Sequence, residues 1–116
     1  MKKILLIILA MVFTASLVFG ASIPLRATWT ANTESDMASY KLYRTDGTRL
    51  LIGTIAHPTT NYNFTLIVPD NSQGTLTFVL TALDTAGNES LDSGVVSYPF
   101  DLRSPAAPIG LGVVRQ

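Results

Sequence analysis

The chain has 116 residues, room for one ordinary domain, with eight basic and eight acidic side chains, a single histidine and no cysteine. The missing cysteines exclude disulfides, a thiolate nucleophile, cysteine-ligated zinc and a lipidated cysteine behind a leader. The balanced charge excludes the basic footprint of a nucleic-acid binder, and no polybasic stretch suits an anionic membrane surface.

The first segment reads as an export leader. Lys2 and Lys3 precede an uncharged apolar run, Ile4 to Phe19, and Val18 and Gly20 suit the −3 and −1 positions of a signal-peptidase site. A helical signal peptide over residues 1–20 is therefore expected, with Ala21 as the new N-terminus. A retained membrane anchor is the alternative. The run of 16 residues falls short of the roughly 20 that a spanning helix needs. Without residues 1–20 the remainder keeps six basic and eight acidic side chains, a net charge near −2, because Lys2 and Lys3 leave with the leader. Lacking disulfides, such a domain depends on its hydrophobic core, which is feasible near this size.

The remainder alternates between strands and turns. Leu25 to Ala31 places Leu25, Ala27, Trp29 and Ala31 on one face. After the polar stretch Asn32 to Asp36, Tyr40 and Leu42 alternate with Lys41 and Tyr43. The run Thr45-Asp-Gly-Thr48 predicts a tight hairpin, with both central residues at positive φ. A third strand is expected over Leu50 to Ala56, ended by His57-Pro58, and Tyr62, Phe64 and Leu66 line a fourth. Pro69 to Gly74 is a turn cluster. Leu76, Phe78, Leu80 and Ala82 give a fifth strand with a period of two. Asp84 to Ser90 is a loop, and Val95 to Phe100 a sixth strand. No amphipathic helix is found after residue 20. Short strands with turns about every 10 residues predict an all-β, immunoglobulin-like antiparallel sandwich.

Three stretches resemble fibronectin type III domains. Trp29 stands where that family carries the core tryptophan of its strand B. Met37-Ala-Ser-Tyr-Lys-Leu-Tyr-Arg44 is similar to its strand C. Phe78-Val-Leu-Thr-Ala-Leu-Asp-Thr-Ala-Gly-Asn-Glu-Ser90 is similar to the strand F and F–G loop of bacterial members. The resemblance implies a sandwich over residues 21–103. Two departures stand out. Leu76 occupies the place of a tyrosine whose hydroxyl would tie down the corner before strand F. The strand A that should precede strand B has only Ala21 to Pro24 available, whereas residues 104–116, Ser-Pro-Ala-Ala-Pro-Ile-Gly-Leu-Gly-Val-Val-Arg-Gln, look like a linker and strand A. They would open a following domain, and none is expected to follow.

The displaced strand suggests a use. An uncovered strand B offers a free edge, represented by Leu25 and Ala27, to an incoming strand. The tail, represented by Ile109, Leu111 and Val113, is the candidate occupant. A connector of five residues reaches ~17 Å, whereas an eight-residue strand is about 26 Å long. The tail is thus too short to return antiparallel along its own domain, and a neighbour stacked head to tail is the expected acceptor. A frayed terminus, a relic of a longer multidomain gene, or loose parallel pairing in its own chain are the alternatives.

Catalytic chemistry is sparse. His57 sits before a proline in a turn, so solvent exposure is expected of it. No Gly-x-Ser-x-Gly elbow supports a serine hydrolase, and no phosphate loop, dinucleotide fingerprint or His-Glu-x-x-His helix occurs. Asp84, Glu89 and Asp92 cluster, but the expected role is turn chemistry: Asp84 and Asn88 satisfy local amides and Gly87 supplies the unusual backbone angle. No catalytic residue, metal site or cofactor is expected. Asn63 and Asn88 head glycosylation sequons that matter only in a eukaryotic secretory pathway; the leader and loop style suit bacteria or their viruses. The function expected is a non-catalytic module, secreted, periplasmic or at the cell surface. Its partner would be protein, including its own copies head to tail. The alternative is an accessory module binding polysaccharide through loops or exposed rings such as Tyr43 and Tyr98, and a hydrolase is the third option.

Overall fold

The computed structural model describes residues 20–116; the expected leader and its alternative as an anchor lie outside the described residues, apart from Gly20. Six strands follow in order: β1 Gly20–Thr28, β2 Met37–Arg44, β3 Leu50–Ala56, β4 Asn61–Pro69, β5 Gln73–Asp84 and β6 Val96–Asp101. All pairings are antiparallel. They form a two-stranded sheet, β1-β4, and a four-stranded sheet, β3-β2-β5-β6. The all-β, immunoglobulin-like antiparallel sandwich is therefore as expected, and the described residues contain no helix.

The core lies where period-two faces of the two sheets meet. Ile23, Leu42, Ile55, Val68, Leu76 and Phe78 are its buried centre, and Trp29, Tyr62 and Phe64 pack against it. Phe64 of β4 meets Phe78 of β5 edge-on at 5.5 Å, which joins the sheets through an aromatic pair. Gly53 of β3 lets β4 come close: a Cβ there would stand 2.7 Å from the Tyr62 hydroxyl. Leu76 is fully buried, as suits a position that lacks the corner hydroxyl.

Tyr40 is the other fully buried large side chain. Its hydroxyl accepts the Asn32 N–H at 2.9 Å and meets His57 Nδ1 at 2.9 Å. Its ring lies 5.3 Å from Trp29. This corrects the expectation for His57, which is half-buried. The cis peptide His57–Pro58 lies in the turn that brings the imidazole over β2.

Two further expectations change. The first strand runs from Gly20 to Thr28, so Trp29 and Ala31 lie beyond its end. Its length is set by β4, along which it pairs from Gly20↔Pro69 to Thr28↔Asn61. The Asp46-Gly47 turn does not adopt positive φ at either residue. Its geometry follows its contacts instead. Thr45 N donates to Thr77 O at 2.9 Å, and the Asp46 carboxylate takes Arg44 at 2.9 Å and Thr77 N at 3.3 Å. These bonds draw the turn toward β5 and hold the Asp46 carboxyl below its usual range, chiefly through Arg44.

Candidate functional site

The free edge of β1 has a definite pattern. Trp29 N donates to Thr60 O at 3.0 Å, and the same register makes Ala27, Leu25, Ile23 and Ala21 the residues that bond β4. Ser22, Pro24, Arg26 and Thr28 therefore direct their backbone groups to the opposite side. Among the described residues no strand pairs with that side. Pro24 can sit here because its missing N–H faces away from β4. It also removes one donor from the edge, a common device against indiscriminate strand pairing.

Beside this edge the core is open. Two strands face four, and β6 is the strand left least covered. Tyr98 lies opposite Leu76, and Val96 opposite Phe78, so both point to the inner face as their partners do. Yet Val96 is 64% and Tyr98 42% exposed. Between β1 and β6 lies an apolar cleft of about 410 Å³, lined by Leu25, Ala27, Trp29, Phe78, Val96 and Tyr98 among others. The Trp29 Nε1–H is buried and has no hydrogen-bond partner among the described residues, an arrangement that costs free energy. The expected edge residues Leu25 and Ala27 are thus half-buried walls of a cleft.

The expected tail residues lie elsewhere. Ile109, Leu111 and Val113 are 97%, 91% and 89% exposed, and no described strand includes them. The segment that leads to them is anchored at the β4–β5 turn. Leu102 N donates to Ser72 O at 2.8 Å and Ser104 N to Asn71 Oδ1 at 2.8 Å. Asn71 holds the positive φ of 52° that presents this carbonyl. The structure does not bring the tail to its own cleft.

The opposite face of the four-stranded sheet carries a polar lattice that the sequence reading missed. Glu89 accepts from Thr81 at 2.6 Å and from Tyr43 at 2.7 Å. Arg49 grips Asp92 through two bonds of 2.8 Å and lies 4.1 Å over the Tyr43 ring. Thr81 and Arg49 respectively are the main reason that the Glu89 and Asp92 carboxyls fall below their usual ranges. Tyr43, whose hydroxyl donates to Glu89, is held above its usual range for that reason first. Ser90 and Ser93 complete the loop by accepting from Ala82 N and Leu80 N, both at 2.9 Å. The loop is thereby stitched along β5 before β6 begins. Asp84 plays the expected turn role: its carboxylate accepts from the Ala86 and Asn88 amides at 3.0 and 2.8 Å, and Gly87 has φ 87°. No group of three or more metal-ligating side chains occurs among the described residues.

Tyr43 and Tyr98 do not form a shared platform. Tyr43 pairs with Val79 and Tyr98 with Leu76, positions of opposite parity on β5, so the two rings lie on opposite faces of the sheet.

No family model and no curated protein matches the chain. Among solved structures it is similar to the spore cortex lytic enzyme SleM of Clostridium perfringens. The TM-score is 0.50 at 20% identity, over 71% of this chain and 26% of that one. The chain spans about a quarter of that structure, and the likeness extends to the fold alone.

Proposed function

We propose that this chain is an exported, non-catalytic interaction module of the fibronectin type III kind, which binds protein by accepting an extended strand in the cleft between β1 and β6. The observation that carries the reading is the exposure of Val96 and Tyr98 on the inner face of the larger sheet, beside a β1 edge that no described strand covers. A strand added there would bond the edge through its backbone and lodge alternate side chains against the cleft walls. The histidine and the clustered carboxylates that the sequence offers are engaged in holding the fold. His57 is bonded to Tyr40, Glu89 to Thr81 and Tyr43, and Asp92 to Arg49. The name of the structural neighbour, a lytic enzyme, belongs to a protein of which this chain matches 26%. The alternative of a polysaccharide surface gains little, because Arg49 covers the Tyr43 ring and Tyr98 borders the cleft.

The test is a titration of the isotope-labelled chain with peptides that alternate apolar and small residues, followed by the Trp29 indole N–H and the Arg26 and Thr28 amides. These three signals are expected to shift together, and a panel of oligosaccharides is expected to leave them unmoved. Peptides that leave all three unmoved would remove the reading.

A further inference from the structure

Building on the strand-accepting cleft just proposed, we infer that its occupant is residues 109–114 of a second copy of this chain, in one register, so that copies join head to tail. The first argument is direction. β6 ends at Asp101, opposite Gln73 at the start of β5. The short β4–β5 turn joins that point to Pro69, which pairs with Gly20 at the start of β1. The tail therefore leaves the domain at the end where β1 begins. To run antiparallel to its own β1 it would first have to travel the whole length of the sandwich. The bonds of Leu102 and Ser104 to the β4–β5 turn and the two prolines of Pro105-Ala-Ala-Pro108 favour an extended exit. A second copy, stacked beyond that end in the same orientation, presents the Thr28 end of its own β1 to the arriving tail. The tail then runs antiparallel to that β1 without any reversal.

The second argument is pattern. Ile109, Leu111 and Val113 alternate with Gly110 and Gly112, which gives one apolar face and one bare face at the strand period. Glycine weakens an isolated strand, which agrees with the unpaired state of this segment in its own chain.

The third argument is the hydrogen-bond pattern of the edge. Of the outward-facing residues of β1, Ser22, Arg26 and Thr28 offer both N–H and C=O, and Pro24, between Ser22 and Arg26, offers only C=O. Placing Gly110 opposite Thr28 and Gly112 opposite Arg26 uses the two complete residues at the Thr28 end, which an arriving tail meets before the proline. That register puts Ile109 opposite Trp29, Leu111 opposite Ala27 and Val113 opposite Leu25. All three side chains then face the cleft that Leu25, Ala27 and Trp29 line on the other side from Val96 and Tyr98. A shift by one residue would turn the apolar face to solvent. A shift by two toward Gly20 would set Val113 opposite Ile23, which does not line the cleft, and leave none of the three side chains opposite Trp29. The contact is heterologous, so it repeats as an open chain of copies.

Ala27 and Leu111 form a non-hydrogen-bonded pair in this register, the type with the closest Cβ atoms, and the chain has no cysteine of its own. The test uses the full sequence carrying Ala27→Cys and Leu111→Cys, oxidised mildly at high concentration and run without reductant. A ladder of dimers, trimers and longer species that collapses on reduction is expected. Arg26→Cys with Leu111→Cys, whose side chains would lie on opposite faces, is expected to give at least tenfold less ladder. Leu111→Asp, at an exposed position where folding is not at stake, is expected to weaken association of the otherwise unaltered chain at least tenfold. An internally bridged monomer would place the tail in its own cleft and overturn the proposal. Absence of any bridge, while alternating peptides still shift Trp29, would overturn the second copy as occupant and leave the accepting cleft standing. Absence of both would remove the two together.

Discussion

Replacing Tyr40 by phenylalanine isolates one hydroxyl at the hub between β2 and the turn before β4. The ring stays, so its packing 5.3 Å from Trp29 is kept and no cavity opens. What is lost is the acceptor for Asn32 N–H and the partner of His57 Nδ1, each at 2.9 Å. Leaving buried donors or acceptors unpaired costs ~1–3 kcal/mol. Asn32 and His57 are only half-buried, so water partly replaces the lost partner. The expected loss is therefore in the lower half of that range, about 1–2 kcal/mol. With a urea slope of about 1 kcal/mol per molar, at the low end for small domains, the unfolding midpoint should fall by ~1–2 M with an unchanged slope. Amide exchange at Asn32 should quicken in the same variant while Leu42 keeps its protection. A midpoint within about 0.3 M of the parent, set against that 1–2 M, would refute the view that this hydroxyl ties the turn to β2.

Further outcomes follow from other parts of the structure. Leu76→Ala empties a fully buried site and should cost ~2–5 kcal/mol in urea unfolding. Gly53→Ala drives a methyl against the Tyr62 ring; we expect a loss of ~1–3 kcal/mol, relieved in part by adding Tyr62→Val. The Asp46, Asp84, Glu89, Asp92 and Asp101 carboxyls all lie below their usual ranges in the fold, through Arg44, Asn88, Thr81, Arg49 and Arg103 first in each case. The folded state thus binds fewer protons than the unfolded state near their ordinary values. Their stabilisation is present above about pH 4 and is lost as pH falls through the lowered folded values. Urea midpoints should decline below that point, and Asp84→Asn should flatten the decline.

The fold was legible where one physical rule acted alone. The alternation of Tyr40 with Leu42, and of Leu76 with Phe78, marks strands whose one face is buried, and all four side chains are buried. The start of β1 was hidden because Pro24 argues against a strand. It is tolerated only because its nitrogen faces the free edge, which is a property of the pairing with β4 rather than of the local sequence. The Asp46-Gly47 pair carries a hairpin signature, but Thr77, 31 residues from Asp46 in sequence, decides its geometry. Val79 and Thr81 are buried on the outer face of β5, beneath Tyr43 and the loop that carries Glu89. No periodicity announces that cover, because it is assembled from side chains of three separate segments. Of the candidate site, the alternating tail and the free β1 edge were legible. The cleft between them was not, since it arises from two strands facing four.

Amide exchange along β1 as a function of protein concentration tests the account most directly. In dilute solution the Ala27, Leu25 and Trp29 amides, which bond β4 or the turn before it, should exchange slowly, while Arg26 and Thr28 exchange fast. At high concentration Arg26 and Thr28 should gain protection together with Gly110 and Gly112. Protection of Arg26 and Thr28 that is already complete on dilution, or rapid exchange that persists at every concentration, would contradict it.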